Sequence, residues 1–163
     1  MSYNVSFISL GCAKNQVNCE QMMALCSEAG YAIQAQPEGC DVVVVNTCGF
    51  LASACEEAIE NILEMAELKK AGQVKKILVT GCMSQRYKGD ILNELPEVDG
   101  LLGTGSYGDI VSAIAEVMER APSPAIWGIS TLPTRAGSGF CPPRRGTPTC
   151  GLPRAATTTA PTV

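Results

Sequence analysis

Short runs of apolar residues recur along the first 120 positions, separated by segments in which apolar and polar residues mix. The runs predict four strands, at residues 5–10, 42–45, 75–80 and 98–102. Four consecutive Val at positions 42–45 are typical of a strand that is covered on both faces, as the strands of parallel sheets are.

Between these runs, apolar residues recur at every third or fourth position, and this period predicts amphipathic helices at about residues 15–29, 53–70 and 106–120. Gly30 provides a stop for the first helix. Ser53 and Glu56 have the spacing of a capping box at the start of the second helix. Lys69 and Lys70 suit the negative end of that helix dipole.

Each predicted helix has one apolar face that we expect to be buried. The three faces consist of Met22, Leu25, Cys26 and Ala29; of Ala58, Ile62, Met65 and Ala66; and of Ile110, Ile114, Val117 and Met118. The alternation of strands and helices predicts an α/β fold, an open parallel sheet with helices on both faces (flavodoxin-like), followed by an irregular tail.

Composition changes abruptly near residue 120. Residues 1–120 contain all 16 acidic residues and 8 of the 12 basic ones, a net charge of −8, whereas residues 121–163 contain four Arg, no acid and eight of the ten Pro. We therefore expect one domain at 1–120 and a tail at 121–163 that is disordered or irregular. Four Arg without Lys are a weak nucleic-acid signal, and the acidic domain disfavours direct binding to nucleic acid.

Nine Cys and no His restrict the chemistry. No run of eighteen apolar residues occurs and the start lacks a charged, cleavable leader, so we expect a cytoplasmic protein that neither spans a membrane nor is secreted. Cytoplasmic Cys remain reduced. Without His, the usual catalytic triads and mixed Cys/His zinc sites are excluded. Redox chemistry, thiolate nucleophiles and an all-Cys metal centre remain.

Three cysteines, Cys12, Cys48 and Cys82, each follow a predicted strand directly. The carboxyl ends of parallel strands lie at one edge of a sheet, where such folds bind ligands, so we expect the three thiols to come together. Small neighbours let the backbone approach a bulky inorganic group closely, namely Gly11, Thr47, Gly49 and Gly81.

Structural zinc takes four ligands, and the chain has no C-x-x-C knuckle. Three thiolates on a four-iron cluster would leave one iron open, and the helix N-termini behind these Cys would keep the thiolates ionised. The alternative is that they are buried Cys acting as small apolar side chains. Their equivalent positions at three strand ends favour the metal cluster.

The other six cysteines suggest no chemistry. Cys26 and Cys55 lie on apolar helix faces, and Cys40 precedes a strand at the opposite sheet edge. Cys19 lies one turn into the first helix and is not expected to be a ligand. Cys141 and Cys150 belong to the tail.

The segment from Gly103 to Gly108 matches G-x-G-x-x-G between a strand and a helix. It follows the fourth strand rather than the first, and no acidic residue lies about twenty positions further on. A tight turn with Ser106 as helix N-cap is therefore favoured. A flavodoxin-like module that binds phosphate or a nucleotide here is the alternative.

The motifs SLGCAKN, NTCGF, ILEMAELKK and VTGCMSQRY…LPEVDGLLGTG resemble the N-terminal domain of radical-SAM methylthiotransferases, over residues 5–118. SLGC-x-KN with NTCGF looks like the RimO type, which modifies an aspartate of the small-subunit ribosomal protein numbered twelve; the MiaB type, which modifies tRNA adenosine, is the alternative. Ala13 and Cys19 depart from the usual pattern.

The resemblance implies an enzyme, a methylthiotransferase. It also implies that Cys12, Cys48 and Cys82 hold an auxiliary [4Fe-4S] cluster whose open iron carries the transferred sulfur. Lys14, Asn15, Asn46 and Thr47 would flank the cluster. In this family, the chain continues into a second domain that has a C-x-x-x-C-x-x-C motif. That domain binds a second cluster and S-adenosylmethionine. This motif does not occur in the chain, so we expect the fragment to be inactive alone and the protein substrate to bind the missing domains.

A reading-frame shift would explain the tail. If each codon is read one base out of frame, the DNA of residues 146–163 can encode WYAYLRIAEGCDNHCTYC, which looks like the missing motif. In that frame, Cys stands in place of Ala156, Ala160 and Val163. We therefore expect a frameshift near residues 134–140. Resequencing the DNA tests this, and a clean read that retains the present frame would refute it.

Overall fold

A computed structural model describes residues 3–50, 52–119 and 125–128. It contains a six-stranded sheet in the order β2-β1-β3-β4-β5-β6, and every neighbouring pair of strands is parallel. The strands are β1 (Asn4–Ser9), β2 (Ala32–Gln34), β3 (Val42–Thr47), β4 (Lys76–Gly81), β5 (Gly100–Leu102) and β6 (Ala125–Trp127). The predicted open parallel sheet is confirmed, and its order is the flavodoxin-like one.

Helices cover both faces of this sheet. They are α1 (Ala13–Glu28), α2 (Ala52–Lys70), α3 (Cys82–Arg86), α4 (Lys88–Glu94) and α5 (Ile110–Glu119), with a 3₁₀ turn at Tyr107–Asp109. The valines of β3 alternate between two cores. Val43 and Val45 join the core under α2, α3 and α4, whereas Val42 and Val44 join the core under α1 and α5. This alternation explains why the strand is apolar at every position from 42 to 45.

Two strands were not predicted from the sequence. β2 pairs with the start of β1, and β6 pairs with β5 inside the segment 121–163 that was expected to be irregular. Each is a three-residue strand at a sheet edge, too short to show a period of two. β6 thus lies beyond residue 120, where the sequence predicts the domain boundary.

The helices differ from prediction mainly at their ends. α2 begins at Ala52, so Ser53 lies inside the first turn and not at the N-cap. Ser106 precedes the 3₁₀ turn but makes no side-chain capping hydrogen bond. The predicted apolar faces are buried or half-buried, except for Ala29, which follows the end of α1 and is exposed. The short helices α3 and α4 were not predicted, since neither is long enough to show a helical period.

Residues 129–163 lie outside the described part of the chain, and with them Cys141, Cys150 and the region of the expected frameshift. Among the described residues, no helix is both long enough and apolar enough to cross a membrane.

Carboxylates tie the amino edge of the sheet together. Asp99, just before β5, accepts hydrogen bonds from the Lys69 and Lys76 ammonium groups and from the backbone N–H of Ile77. Asp41, just before β3, accepts from the backbone N–H of Asn4. These bonds join the start of β5 to β4 and α2, and the start of β3 to β1, at the edge opposite Cys12, Cys48 and Cys82.

Candidate metal centre

The three cysteines singled out from the sequence follow three adjacent strands of the sheet. Cys12 comes after β1 at the N-cap of α1, Cys48 follows β3 directly, and Cys82 is the first residue of α3 after β4. Because the strand order is β1-β3-β4, all three lie at the carboxyl edge. Cys12 and Cys48 flank the point between β1 and β3 where the strand order reverses, and folds of this kind bind their ligands at that point.

Glycines bring the three loops into contact. Gly11 has a φ of 99°, and a Cβ added there would overlap the Cβ of Cys48. A Cβ added at Gly49 would lie 2.9 Å from the backbone nitrogen of Met83 and 3.0 Å from the carbonyl carbon of Cys82. The loop of each cysteine therefore packs on the next, and only glycine leaves room for this approach.

A buried asparagine holds the first two loops in place. Asn15 is 2% exposed, and its Nδ2 donates to the carbonyl oxygens of Leu10 and Thr47, at 3.1 Å in each case. Asn46 donates in turn from its Nδ2 to the carbonyl oxygen of Asn15, at 2.7 Å. The sequence placed Asn15, Asn46 and Thr47 beside the site without a role. The hydrogen bonds assign them one, since they join the end of β1 to the end of β3.

Two hydroxyl groups extend this network to the third loop. Thr47 Oγ1 donates to the carbonyl oxygen of Thr80, at 2.7 Å. Ser84 Oγ lies 2.8 Å from the carbonyl oxygen of Gly81 and 2.7 Å from that of Leu102, so its proton is shared between β4 and β5. The four central strand ends are thus connected by buried side chains, and the loops between them are held in one arrangement.

The three thiols differ in exposure. Cys12 and Cys82 are exposed, whereas Cys48 is 7% exposed. The backbone N–H of Asn15, at the start of α1, has the largest effect and lowers the pKa of Cys12. Burial acts against it, and the N–H and ammonium groups of Lys14 lower the pKa by smaller amounts. A helix N-terminus therefore favours the thiolate at Cys12.

The remaining described cysteines are buried, as the sequence suggested. Burial raises the pKa of Cys26 to about 12 and raises those of Cys19 and Cys40, and Cys40 lies before β3 at the opposite edge. Cys55 lies closer to the site than its sequence position suggested, because its thiol donates to the carbonyl oxygen of Cys48 at 3.6 Å.

The described residues contain no group of three His, Cys, Asp or Glu that converges on one metal ion. A single zinc ion bound at about 2.3 Å would need thiolates only about 4 Å apart. A multi-iron cluster takes each thiolate on a different iron and therefore spreads its ligands more widely.

The first glycine of the G-x-G-x-x-G segment is packed, whereas Gly105 and Gly108 are exposed. A Cβ added at Gly103 would lie 2.6 Å from Gln85 Oε1 and 2.6 Å from the carbonyl oxygen of Gly128, so this glycine is needed where the turn meets α3 and the end of β6. This contact favours the tight-turn interpretation over a phosphate loop.

Two aromatic residues at this edge were not identified from the sequence. Tyr107, in the 3₁₀ turn, is half-buried, and burial followed by the Cys82 and Cys12 side chains raises the pKa of its phenol. Phe50, directly after Gly49, is 84% exposed. No sequence period marks either residue, because both lie in connections between helices and strands.

Substituting Gly11 with Ala tests the loop contact. We expect Gly11→Ala to lower the free energy of unfolding by about 2 kcal/mol more than Gly72→Ala, since overpacking costs about 1–3 kcal/mol. Gly72 also has positive φ, at 76°, but a Cβ there would meet nothing within 4 Å, so this control carries only the backbone cost. Urea denaturation measures both, and equal losses would contradict the contact.

Alkylation tests the electrostatics at Cys12. In metal-free protein we expect iodoacetamide to modify Cys12 half-maximally at a lower pH than an ordinary thiol, because its pKa is lowered and the thiolate is the nucleophile. Cys26, with a pKa of about 12, should stay unmodified at neutral pH and serves as internal control. Peptide mass spectrometry across a pH series measures both rates. A Cys12 midpoint at or above the ordinary thiol value would refute the expectation.

Known proteins share this arrangement of motifs. Residues 4–103 match the family described as "Uncharacterized protein family UPF0004". The ribosomal protein uS12 methylthiotransferase RimO of Lachnoclostridium phytofermentans is 52% identical over 121 residues, 73% of this chain and 28% of that protein. The protein of the same name from Syntrophomonas wolfei is 51% identical over 117 residues, 72% of this chain and 26% of that protein. The one from Clostridioides difficile is 45% identical over 115 residues, 71% of this chain and 26% of that protein.

The chain thus spans about a quarter of the length of these curated relatives. The family match takes in well over half of the chain and includes all three cysteines that follow β1, β3 and β4. The chain therefore belongs to the UPF0004 family, the N-terminal domain of methylthiotransferases.

Proposed function

We propose that Cys12, Cys48 and Cys82 hold an auxiliary [4Fe-4S] cluster. The observation that carries this proposal is that the three thiols follow three adjacent parallel strands and that glycine contacts press their loops together. When bound, such a cluster supplies sulfur through the iron that has no protein ligand.

The donor set fits this group. All three candidate ligands are thiols, which iron–sulfur clusters prefer, and the seven cysteines in the described part of the chain are free. The reducing cytoplasm, where we place the protein, would keep them so. Exposure of Cys12 and Cys82 leaves one side of the site accessible to a reactant, while the buried Cys48 anchors the other side.

The chain's own residues prepare the site for loading. Asn15 and Thr47 hold the carbonyl ends of the strands, so the thiols need little reorganisation when they bind metal. The N–H groups at the start of α1 stabilise the Cys12 thiolate, which is the form that binds iron. These contacts support a preorganised metal centre rather than a set of core cysteines.

We propose further that this domain serves an enzyme that methylthiolates an aspartate of ribosomal protein uS12. The support is the similarity to ribosomal protein uS12 methylthiotransferases that are 45–52% identical to the chain. Methylthiolation of tRNA adenosine is the alternative. The radical chemistry, which needs S-adenosylmethionine and a second cluster, belongs to segments of the relatives that this chain does not match. The 163-residue chain alone is therefore inactive. The protein substrate binds to those other segments.

Anaerobic reconstitution with iron and sulfide tests the cluster. We expect the full chain to bind about four irons and to show charge-transfer absorbance, and Cys48→Ala to abolish both. Cys55→Ala is the matched control, because its thiol contacts the Cys48 carbonyl but follows no strand, and it should load normally. Iron binding by Cys48→Ala at the level of the unmodified chain would refute the assignment.

A chimera tests the enzymatic role. Residues 3–119 replace the matched segment of the Lachnoclostridium phytofermentans relative, and mass spectrometry of uS12 and of tRNA follows modification. We expect methylthio-uS12, unmodified tRNA, and loss of the product in the Cys48→Ala chimera. The unfused chain should not consume S-adenosylmethionine. A chimera that loads iron yet modifies only tRNA, or an active unfused chain, would contradict the proposed role.

A further inference from the structure

The side chain of Cys48 lies against the turn that carries Cys12. A Cβ added at Gly11, the residue before Cys12, would overlap the Cβ of Cys48 and lie 3.4 Å from its Sγ. The turn that carries Cys82 is contacted differently, because there the backbone of Gly49 meets backbone atoms. Of the two exposed thiols, Cys12 therefore belongs to the turn that the Cys48 side chain contacts.

Hydrogen bonds on both sides of this contact keep the two turns together. The backbone N–H of Leu10 donates to the carbonyl oxygen of Asn46, at 2.9 Å. Asn15 Nδ2 donates to the carbonyl oxygen of Thr47, at 3.1 Å. A disulfide needs two Cα atoms about 4.4–6.8 Å apart, and consecutive Cα atoms are about 3.8 Å apart. The residue that directly follows the contacting glycine is therefore placed to form such a bond with Cys48.

We propose that a hydroperoxide oxidises Cys12 and Cys48 of the metal-free chain to a disulfide, and that this bond reversibly blocks metal binding. The bond itself needs no metal, whereas its effect on metal binding rests on the proposed cluster. Cys12 reacts first, because it is exposed and Cys48 is only 7% exposed. The Cys12 thiolate attacks one oxygen of the peroxide and the O–O bond breaks. The products are a sulfenic acid and a hydroxide, which takes up the proton that the thiol released and becomes water.

The second step consumes the sulfenic acid. The Cys48 sulfur attacks the Cys12 sulfur, the S–S bond forms, the S–O bond breaks, and the hydroxyl leaves with the Cys48 proton as a second water. Two thiols thus lose two electrons and two protons, and one hydrogen peroxide becomes two waters. A dithiol reverses the reaction by thiol–disulfide exchange. Because thiolates bind iron and disulfide sulfurs do not, the bond withdraws two of the three candidate ligands and protects them from irreversible oxidation.

Peptide mass spectrometry of the full chain tests the pairing. Reduced, metal-free protein receives one equivalent of hydrogen peroxide, and the remaining thiols are alkylated before a non-reducing digest. We expect the loss of two of the nine thiols, one cross-linked peptide that joins Cys12 to Cys48, and recovery of both thiols with dithiothreitol. Linkage of Cys48 to Cys82 or Cys55, or sulfinic acid at Cys12 with Cys48 still free, would overturn the proposal.

Two variants are matched controls for this pairing. Cys82→Ala removes the other exposed thiol, and Cys55→Ala removes the buried thiol that contacts the Cys48 carbonyl oxygen. Both variants should form the same cross-linked peptide as the unmodified chain, to the same extent. Its disappearance in either variant would show a different partner and contradict the pairing.

Cluster transfer separates this switch from the cluster itself. A [4Fe-4S] scaffold protein is the donor, with no free sulfide or thiol present. The reduced chain should accept about four irons and the cross-linked chain none until dithiothreitol is added. A cross-linked chain that accepts iron as the reduced chain does would refute the block. If the reduced chain accepts no iron although the disulfide forms, the cluster is refuted and the pairing stands. If it accepts iron but forms no disulfide, the cluster stands and the switch is refuted.

Discussion

The structure depends on the parallel pairing of β3 between β1 and β4. All six residues of β3 are buried, and its side chains alternate between the two cores that hold the helices. A strand buried on both faces can pair in only one register without exposing its apolar side chains. Register in turn sets where each neighbouring strand ends, because Asn46 pairs with Ser9 on one side and with Thr80 on the other. The loops that carry Cys12, Cys48 and Cys82 are therefore brought to one level.

The two edges of this sheet have opposite chemistry. At the amino edge, Asp41 and Asp99 accept hydrogen bonds from lysines and backbone N–H groups, so their charges are compensated within the fold. At the carboxyl edge, neutral amides and hydroxyls from Asn15, Thr47 and Ser84 make the connections. No carboxylate takes part in these carboxyl-edge hydrogen bonds among the described residues.

Much of this architecture could be predicted from local pattern. The four long apolar runs and the three helical stripes correspond to β1, β3, β4, β5, α1, α2 and α5, because burial of an apolar face leaves a period in the sequence. The family resemblance indicated by SLGCAKN and NTCGF is confirmed as well. Edge strands and short helices leave no such period. β2 and β6 form only because β1 and β5 offer unpaired backbone groups, which no local sequence pattern records.

The features of the candidate site also divide into those that the sequence predicts and those that it does not. The sequence by itself determined that three thiols follow strands and that glycines accompany them, since residue type and order along the chain contain that information. Only the tertiary structure decided that Gly11 rests on Cys48 and that Asn15 joins two strand ends. The contacts of Gly11 with Cys48 and of Asn15 with Thr47 join residues that are 37 and 32 positions apart in the chain. Strand order and register create them, and both are set by the burial of β3 between two layers of helices.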